Sequence, residues 1–291
     1  MQIELKDVRK SFDGVKALRG ISLTIPSGRK VALIGPNGSG KTTLTRILMG
    51  LLACSGDVLL DGFRPFSQRA ELAARLAYVP QTAPLMSAKV CDIVGAIAIA
   101  RGVEEQSITA TARRLGLDCD AVAGIAVREL SGGMRQKLML ALALSARAEL
   151  FILDEPTASL DSSSRQAFFR LYEEIAGGAT LILCSHRLEE IQHLVDQVVA
   201  LENGQVAFDG PVAEFLDSRT VGIIEVYTGS GHRADWLSGR GFSRGASGAW
   251  ARTVSRAEKV RLLGEIAATC DGELANIIVR DVEYVDLSRG S

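Results

Sequence analysis

Apolar and polar positions alternate along Ile3–Val8, and further apolar runs at Ile21–Ile25 and Lys30–Ile34 are set off by Gly turns, so the chain is expected to open with strands. A Gly-rich loop follows, then a segment from Lys41 to about Leu52 whose apolar residues recur at helical spacing. Val58–Leu60 before Asp61-Gly62 reads as a strand and turn, and Leu72 to Val79 ends in a short strand before Pro80-Gln81. From Val90 to Leu117, and again from Leu138 to Ala146, the spacing is helical. Three short runs are then apolar on both faces: Leu150–Leu153, ending in two carboxylates; Thr180–Cys184, ending at Ser185-His186; and Val198–Leu201. Such runs with helices between them predict a buried parallel sheet and an α/β class.

The pattern changes near Asp217, and residues 229–250 are rich in Gly, Ser and Arg. Beyond it the pattern predicts strand Val221–Tyr227, a helix near His232–Leu237, strand Ala249–Val254, helix Arg256–Thr269 and strand Asn276–Val282. That β-α-β-α-β order marks residues 218–291 as a small accessory α+β domain after a main domain at 1–217, with Trp236 and Trp250 in its core. His193 and His232 read as ordinary helix and accessory-domain histidines.

Composition narrows the function classes. Lys+Arg 33 against Asp+Glu 34 gives a net charge of −1, which argues against a polycation binding nucleic acid in bulk. With 47% hydrophobic and 23% charged residues the chain is expected to fold. Five widely spaced cysteines (Cys54, Cys91, Cys119, Cys184, Cys270) include no CxxC pair, so they read as small buried hydrophobes rather than zinc ligands or a disulfide framework. No signal peptide is visible, and the richest apolar stretch, Val90 to Ala100, contains Asp92 and is shorter than the ~18 residues of a membrane span.

Two motifs carry chemistry. Gly35-Pro36-Asn37-Gly38-Ser39-Gly40-Lys41-Thr42 fits G-x-x-x-x-G-K-[ST] between an expected strand and an expected helix. Its glycines let backbone N–H groups turn inward on phosphates, the helix end at Lys41 is positive, Lys41 adds a point charge, and Thr42 offers a hydroxyl to Mg²⁺. Thr43 is placed for an α-phosphate oxygen. A turn that merely caps a helix needs neither the Lys-Thr pair nor the preceding strand. Second, Asp154-Glu155 closes a buried strand, at the sheet edge where ligands sit in α/β folds. Asp154 is placed to hold Mg²⁺ through a water and Glu155 to polarise the water that attacks a γ-phosphate; taken alone, the pair could also be the acids of a helix N-terminus.

Leu130-Ser131-Gly132-Gly133-Met134-Arg135-Gln136, shortly before that pair, resembles the LSGGQ signature of ATP-binding cassette (ABC) ATPases, with Met134 in place of the usual Gln. Ser131 suits an N-cap, and the glycines leave backbone N–H groups open to an anion. The resemblance runs from about Gln2 to Leu216 and implies the rest of a site. Gln81 resembles the Q-loop glutamine, a catalytic and Mg²⁺-side residue; Ser159-Leu160-Asp161 the D-loop; His186 the switch histidine; and Phe12 the aromatic that stacks on adenine. It implies a P-loop NTPase cassette with a parallel-sheet core, an antiparallel β subdomain and a helical subdomain. It also implies ATP and Mg²⁺ as ligands, hydrolysis, and a head-to-tail dimer in which Ser131 and Gly133 of one cassette face the nucleotide on the P-loop of the other.

A second cassette, such as another copy of this chain, and a separate membrane permease would complete the assembly, on the cytoplasmic face of the cell membrane. The apolar Ala83-Pro84-Leu85-Met86 suits either a permease contact or local core. Asp7-Val8-Arg9-Lys10-Ser11-Phe12 and Leu130–Lys137 resemble exporter-type (ABC-2) ATPases. Ser131–Lys137 and the extension after the cassette, closing at Val282–Leu287, are similar to the ATPase subunits that serve copper-site maturation of nitrous oxide reductase. That likeness admits a periplasmic accessory protein. A soluble ABC ATPase remodelling nucleic acid or ribosomes is the alternative; the single cassette, the charge of −1 and the lack of basic arms weigh against it.

Overall fold

A computed structural model of the protein describes residues 1–219, 221–228, 233–245, 248–269 and 274–281; His232, Cys270 and the segment 282–287 lie outside them. Cα packing divides the chain into two units, Met1–His186 with Glu190–Asp209, and Arg187–Glu189 with Gly210–Ser291.

The first unit begins with β1 (Ile3–Phe12), β2 (Val15–Ile25) and β3 (Lys30–Ile34), then α1 (Lys41–Leu48), β4 (Ser55–Leu60), α2 (Arg69–Ala73) and β5 (Leu76–Val79). β1 runs past the alternation that ends at Val8. A register shift after Leu5, with Asp7 at φ 50°, re-aims the strand, and Asp13-Gly14, both at positive φ, turn it into β2. β2, β1 and β4 form an antiparallel three-stranded sheet in that order. Next come α3 (Val90–Arg101), α4 (Glu105–Arg114) and α5 (Gly132–Leu144). The single helical stretch expected over Val90–Leu117 is two helices, because Gly102 takes the left-handed conformation and closes α3 onto the carbonyls of Ala98 and Ile99. Arg101 then donates to the carbonyls of Ala73, Ala74 and Leu76, fastening α3 to the end of α2 and the start of β5.

The buried apolar runs form β6 (Leu150–Asp154), β7 (Thr180–Cys184) and β8 (Gln197–Glu202), separated by α6 (Ser162–Ala176) and α7 (Leu188–Leu194). Asn203-Gly204, both at positive φ, turn β8 into β9 (Gln205–Pro211). The six-stranded sheet runs β5-β6-β7-β3-β8-β9, with the pairings of β5, β6, β7, β3 and β8 all parallel. One apolar cluster joins the two sheets, including Ile3, Ile21, Leu48, Leu150, Ile182 and Val199. Beside it Tyr172 is wholly buried, edge-on to Phe151, and its hydroxyl finds no hydrogen-bond partner among the described residues. A buried hydroxyl without a partner costs about 1–3 kcal/mol. Tyr172→Phe is therefore expected to leave the fold intact and raise its stability by up to about 1 kcal/mol, read as a higher midpoint of urea unfolding; a lower midpoint would contradict it.

The second unit holds α8 (Val212–Arg219), β10 (Val221–Thr228), α9 (Ala234–Gly239), β11 (Ser243–Arg244), β12 (Trp250–Ser255), α10 (Arg256–Thr269) and β13 (Leu274–Asp281). The sheet order is β11-β12-β10-β13, every pairing antiparallel. With β11, which the apolar pattern does not reveal, the order becomes β-α-β-β-α-β, the split βαβ arrangement of ferredoxin-like folds. Its core is Ile224, Val226, Leu237, Phe242, Val254, Leu262 and Ile266; Trp236 and Trp250 pack partly buried against it. α10 starts on a reciprocal cap, Glu258 N–H donating to Ser255 Oγ and Ser255 N–H to the Glu258 carboxylate.

Candidate functional site

β3 lies between β7 and β8, so the loop that follows it leaves the sheet at its carboxyl edge between two parallel neighbours. Ile34 ends the strand, and Gly35 to Gly40 turn back into α1. Two glycines make this loop possible. A side chain on Gly35 would meet the Leu201 carbonyl at 2.3 Å and the Ser39 hydroxyl at 2.5 Å; one on Gly40, at φ 106°, would meet the Leu18 side chain at 2.6 Å. Pro36, Asn37 and Gly38 are exposed, while Ser39 is buried beneath them. Lys41 reaches back under the loop, its Nζ donating to the carbonyls of Gly35 (2.6 Å) and Pro36 (3.1 Å). Thr42 is exposed at the start of α1, with Thr43 half-buried beside it. β2 is tied to the same loop: Arg19 N–H donates to the Gly204 carbonyl, and Gly204 N–H to the Ser39 carbonyl. Phe12, 43% exposed at the end of β1, carries the Lys10 ammonium 5.2 Å from its ring centroid.

The second strand of interest is β6. Asp154 at its end is half-buried; burial and then the neighbouring Glu155 push its carboxyl pKa up, against the opposing pull of Lys41 and Arg46. Its charge is thus poorly solvated, and a divalent cation beside the Thr42 hydroxyl would offset it. The glycine loop, the lysine within it and the half-buried Asp154 that feels its charge together suit a nucleoside triphosphate with Mg²⁺.

Glu155 adopts φ 45°, a left-handed conformation costing about 1–2 kcal/mol for a non-glycine residue. Its N–H donates to the Cys184 carbonyl (2.8 Å), and its Oε1 lies 2.6 Å from His186 Nδ1. An ionised carboxylate has no proton to give, so Nδ1–H of His186 is the donor, which leaves Nε2 directed elsewhere. Glu155 Oε2 is buried and finds no hydrogen-bond partner among the described residues. The left-handed backbone thus aims one carboxylate oxygen at a histidine. Gln81 follows β5, whose Val79 pairs with Leu153, so the register puts Gln81 at the same sheet edge.

Ser131, Gly133 and Asp161 form a separate group, and among the described residues no hydrogen bond or ion pair links them to the loop at 35–43. Ser131 caps α5, accepting from Met134 N–H. Asp161 caps α6; bonds from Ser163 and Ser164 pull its pKa well below the carboxylate range, and Lys137 lies 3.3 Å away. Two residues here escape the sequence reading. Gln136 is 1% exposed and donates from Nε2 to the Pro156 carbonyl (3.0 Å), and Lys137 meets Asp161. The signal for Gln136 is a polar residue one turn before buried Leu140 on the core-facing stripe of α5.

The ABC transporter family matches residues 18–158. A sulfate/thiosulfate import ATP-binding protein of Caulobacter vibrioides is 32% identical over 84% of this chain and 76% of its own length. A Nod factor export ATP-binding protein of Cupriavidus pinatubonensis is 33% identical over 81% and 74%. Among solved structures, an ATP-binding subunit of an ABC transporter superposes with TM-score 0.66 at 26% identity, covering 74% of this chain and 91% of that one. A bacterial Atm1-family ABC exporter with ATP bound gives TM-score 0.67 at 25% identity over 74% and 39%. Its phosphate loop, its Asp-Glu strand end and these relatives make the chain an ATP-hydrolysing cassette that belongs to the ABC transporter family.

Proposed function

We propose that this chain is the nucleotide-binding subunit of an ABC transporter, which dimerises with a second cassette on ATP and drives a separate membrane permease. The observation that carries the hydrolytic part is the Glu155–His186 contact at the sheet edge that also bears the phosphate loop. In this reading the loop N–H groups and Lys41 bind the phosphates, and Phe12 stacks on the base. Thr42, Asp154 and Gln81 would hold Mg²⁺, which when bound would neutralise phosphate charge. Glu155 accepts the proton of the attacking water while His186 holds its carboxylate. Ser131 and Gly133, exposed or half-exposed at the start of α5, face the nucleotide of the partner cassette, with Asp161 beside them.

Among the described residues no helix is long and apolar enough to cross a membrane, so passage of cargo would fall to another chain. The relatives named above are ATP-binding proteins of sulfate/thiosulfate import and of Nod factor export, and they leave the cargo open. The narrower reading, service to nitrous oxide reductase copper-site maturation on the inner face of the cell membrane with a periplasmic accessory protein, rests on Ser131–Lys137 and on the accessory region 218–291. Affinity capture of the tagged chain from detergent-solubilised native membranes tests both. A multi-span permease is the expected partner, and a periplasmic copper-site protein would support the narrower reading. Recovery of only soluble proteins or nucleic acid would overturn the transporter role.

A further inference from the structure

We propose that Gln136 is a positioning residue for hydrolysis: it holds the main chain just after Glu155, so that the left-handed backbone keeps the carboxylate on His186. This rests on the reading of Glu155 as the base. A strained residue persists only where its surroundings fix it from both sides. On the amino side Glu155 is fixed by its own N–H on the Cys184 carbonyl. On the carboxyl side the Glu155 carbonyl accepts from Ala158 N–H at 3.2 Å within its own turn, and Pro156 has no N–H to offer, so a tether from another element acts there through the Pro156 carbonyl. That carbonyl accepts from Gln136 Nε2 at 3.0 Å in a buried setting.

The residue type fits the task. A buried carbonyl needs a donor, which Leu or Met lacks; a lysine or arginine would bring a charge into the core. The rest of the α5 first turn follows the same segment. Gly133 packs beside the Ser159 carbonyl, where a Cβ would stand at 3.1 Å, and Lys137 meets Asp161. The helix is thus a rail for residues 156–161, and Gln136 is its buried, donor-bearing contact nearest Glu155. Gln136 touches neither phosphate loop nor carboxylate in the described contacts, so its influence on chemistry runs through Glu155 geometry alone.

Two variants test this. Gln136→Leu keeps the bulk and loses the donor; Gln136→Asn keeps the amide but is one methylene too short. Each is assayed for ATP affinity and for kcat, with Glu155→Gln measured alongside and thermal melting as the check of folding. The expected result is ATP affinity within about twofold of wild type and kcat down about 10- to 100-fold, the scale of a misplaced reacting group. Unchanged kcat in either folded variant, or affinity falling in step with kcat, overturns the role of Gln136. Full turnover in Glu155→Gln would instead overturn the base assignment on which it rests.

Discussion

Glu155→Gln is expected to bind ATP as the wild type does while steady-state hydrolysis falls by about 10²–10⁴-fold, the usual contribution of a positioned general base. The substitution changes little else. A glutamine keeps the shape of the side chain, and its Oε1 still accepts from His186 Nδ1–H, the 2.6 Å contact that orients the group. The other oxygen has no hydrogen-bond partner among the described residues, so an amide there breaks no described bond. The left-handed backbone at φ 45° is held by bonds that do not involve the charge: Glu155 N–H on the Cys184 carbonyl, Ala158 N–H on the Glu155 carbonyl and Gln136 on the Pro156 carbonyl. What disappears is the ability to take a proton from water. Because other residues are proposed to bind the phosphates, nucleotide should accumulate uncleaved, and the dimer that it closes should persist. Phosphate release, equilibrium binding of ATP and gel filtration with ATP and Mg²⁺ read the three effects separately. Turnover near the wild-type rate would remove Glu155 from the role of base.

The parts of this site that are contiguous in sequence were open to reading from it. Residues 35–42 encode their own loop, since the glycines that permit it and the lysine that fills it are neighbours. Asp154-Glu155 and Ser185-His186 each close an apolar run, so their place at a strand end follows from the run itself. The contact between Glu155 and His186 does not follow: β6 and β7 are consecutive in the chain and paired in the sheet, but the contact also needs the left-handed backbone at Glu155, which no apolar run marks. Gln136 was missed for a similar reason, because its partner is a main-chain carbonyl twenty positions away that no side-chain pattern marks.

In the second unit β11 is two exposed residues in a Gly-, Ser- and Arg-rich stretch, too short to show a period of two. β9 is a different case. Asn203-Gly204 is a strong hairpin signal, but the strand beyond it alternates exposed and half-buried positions with none fully buried, so its apolar contrast is weak.

Lys41→Ala is expected to separate binding from chemistry in the opposite sense, weakening ATP affinity itself by about 10- to 150-fold, since a charge-assisted hydrogen bond is worth about 1.5–3 kcal/mol. The lysine sits inside the loop, with Nζ on the Gly35 and Pro36 carbonyls, and its charge counters the rise in the Asp154 pKa. In the proposed site, removing it takes away a phosphate donor and leaves Asp154 less willing to ionise, so cation binding should weaken as well. Arginine is no substitute, because a planar fork cannot occupy the place of a compact ammonium under so tight a loop. The fold itself should tolerate the change, as the Gly35 and Gly40 conformations are set by their own packing.

The consequence is measurable without an activity assay. At an ATP concentration of about 100 times its dissociation constant, the wild type gains about 2.7 kcal/mol of stability on binding. The same concentration would add only about 0.4 kcal/mol to a variant whose dissociation constant is about 100-fold higher, by the same mass-action relation. The ATP-induced rise in melting temperature should therefore nearly vanish in Lys41→Ala and survive intact in Glu155→Gln. An equal rise in both would show that the loop at 35–42 does not bind through its lysine.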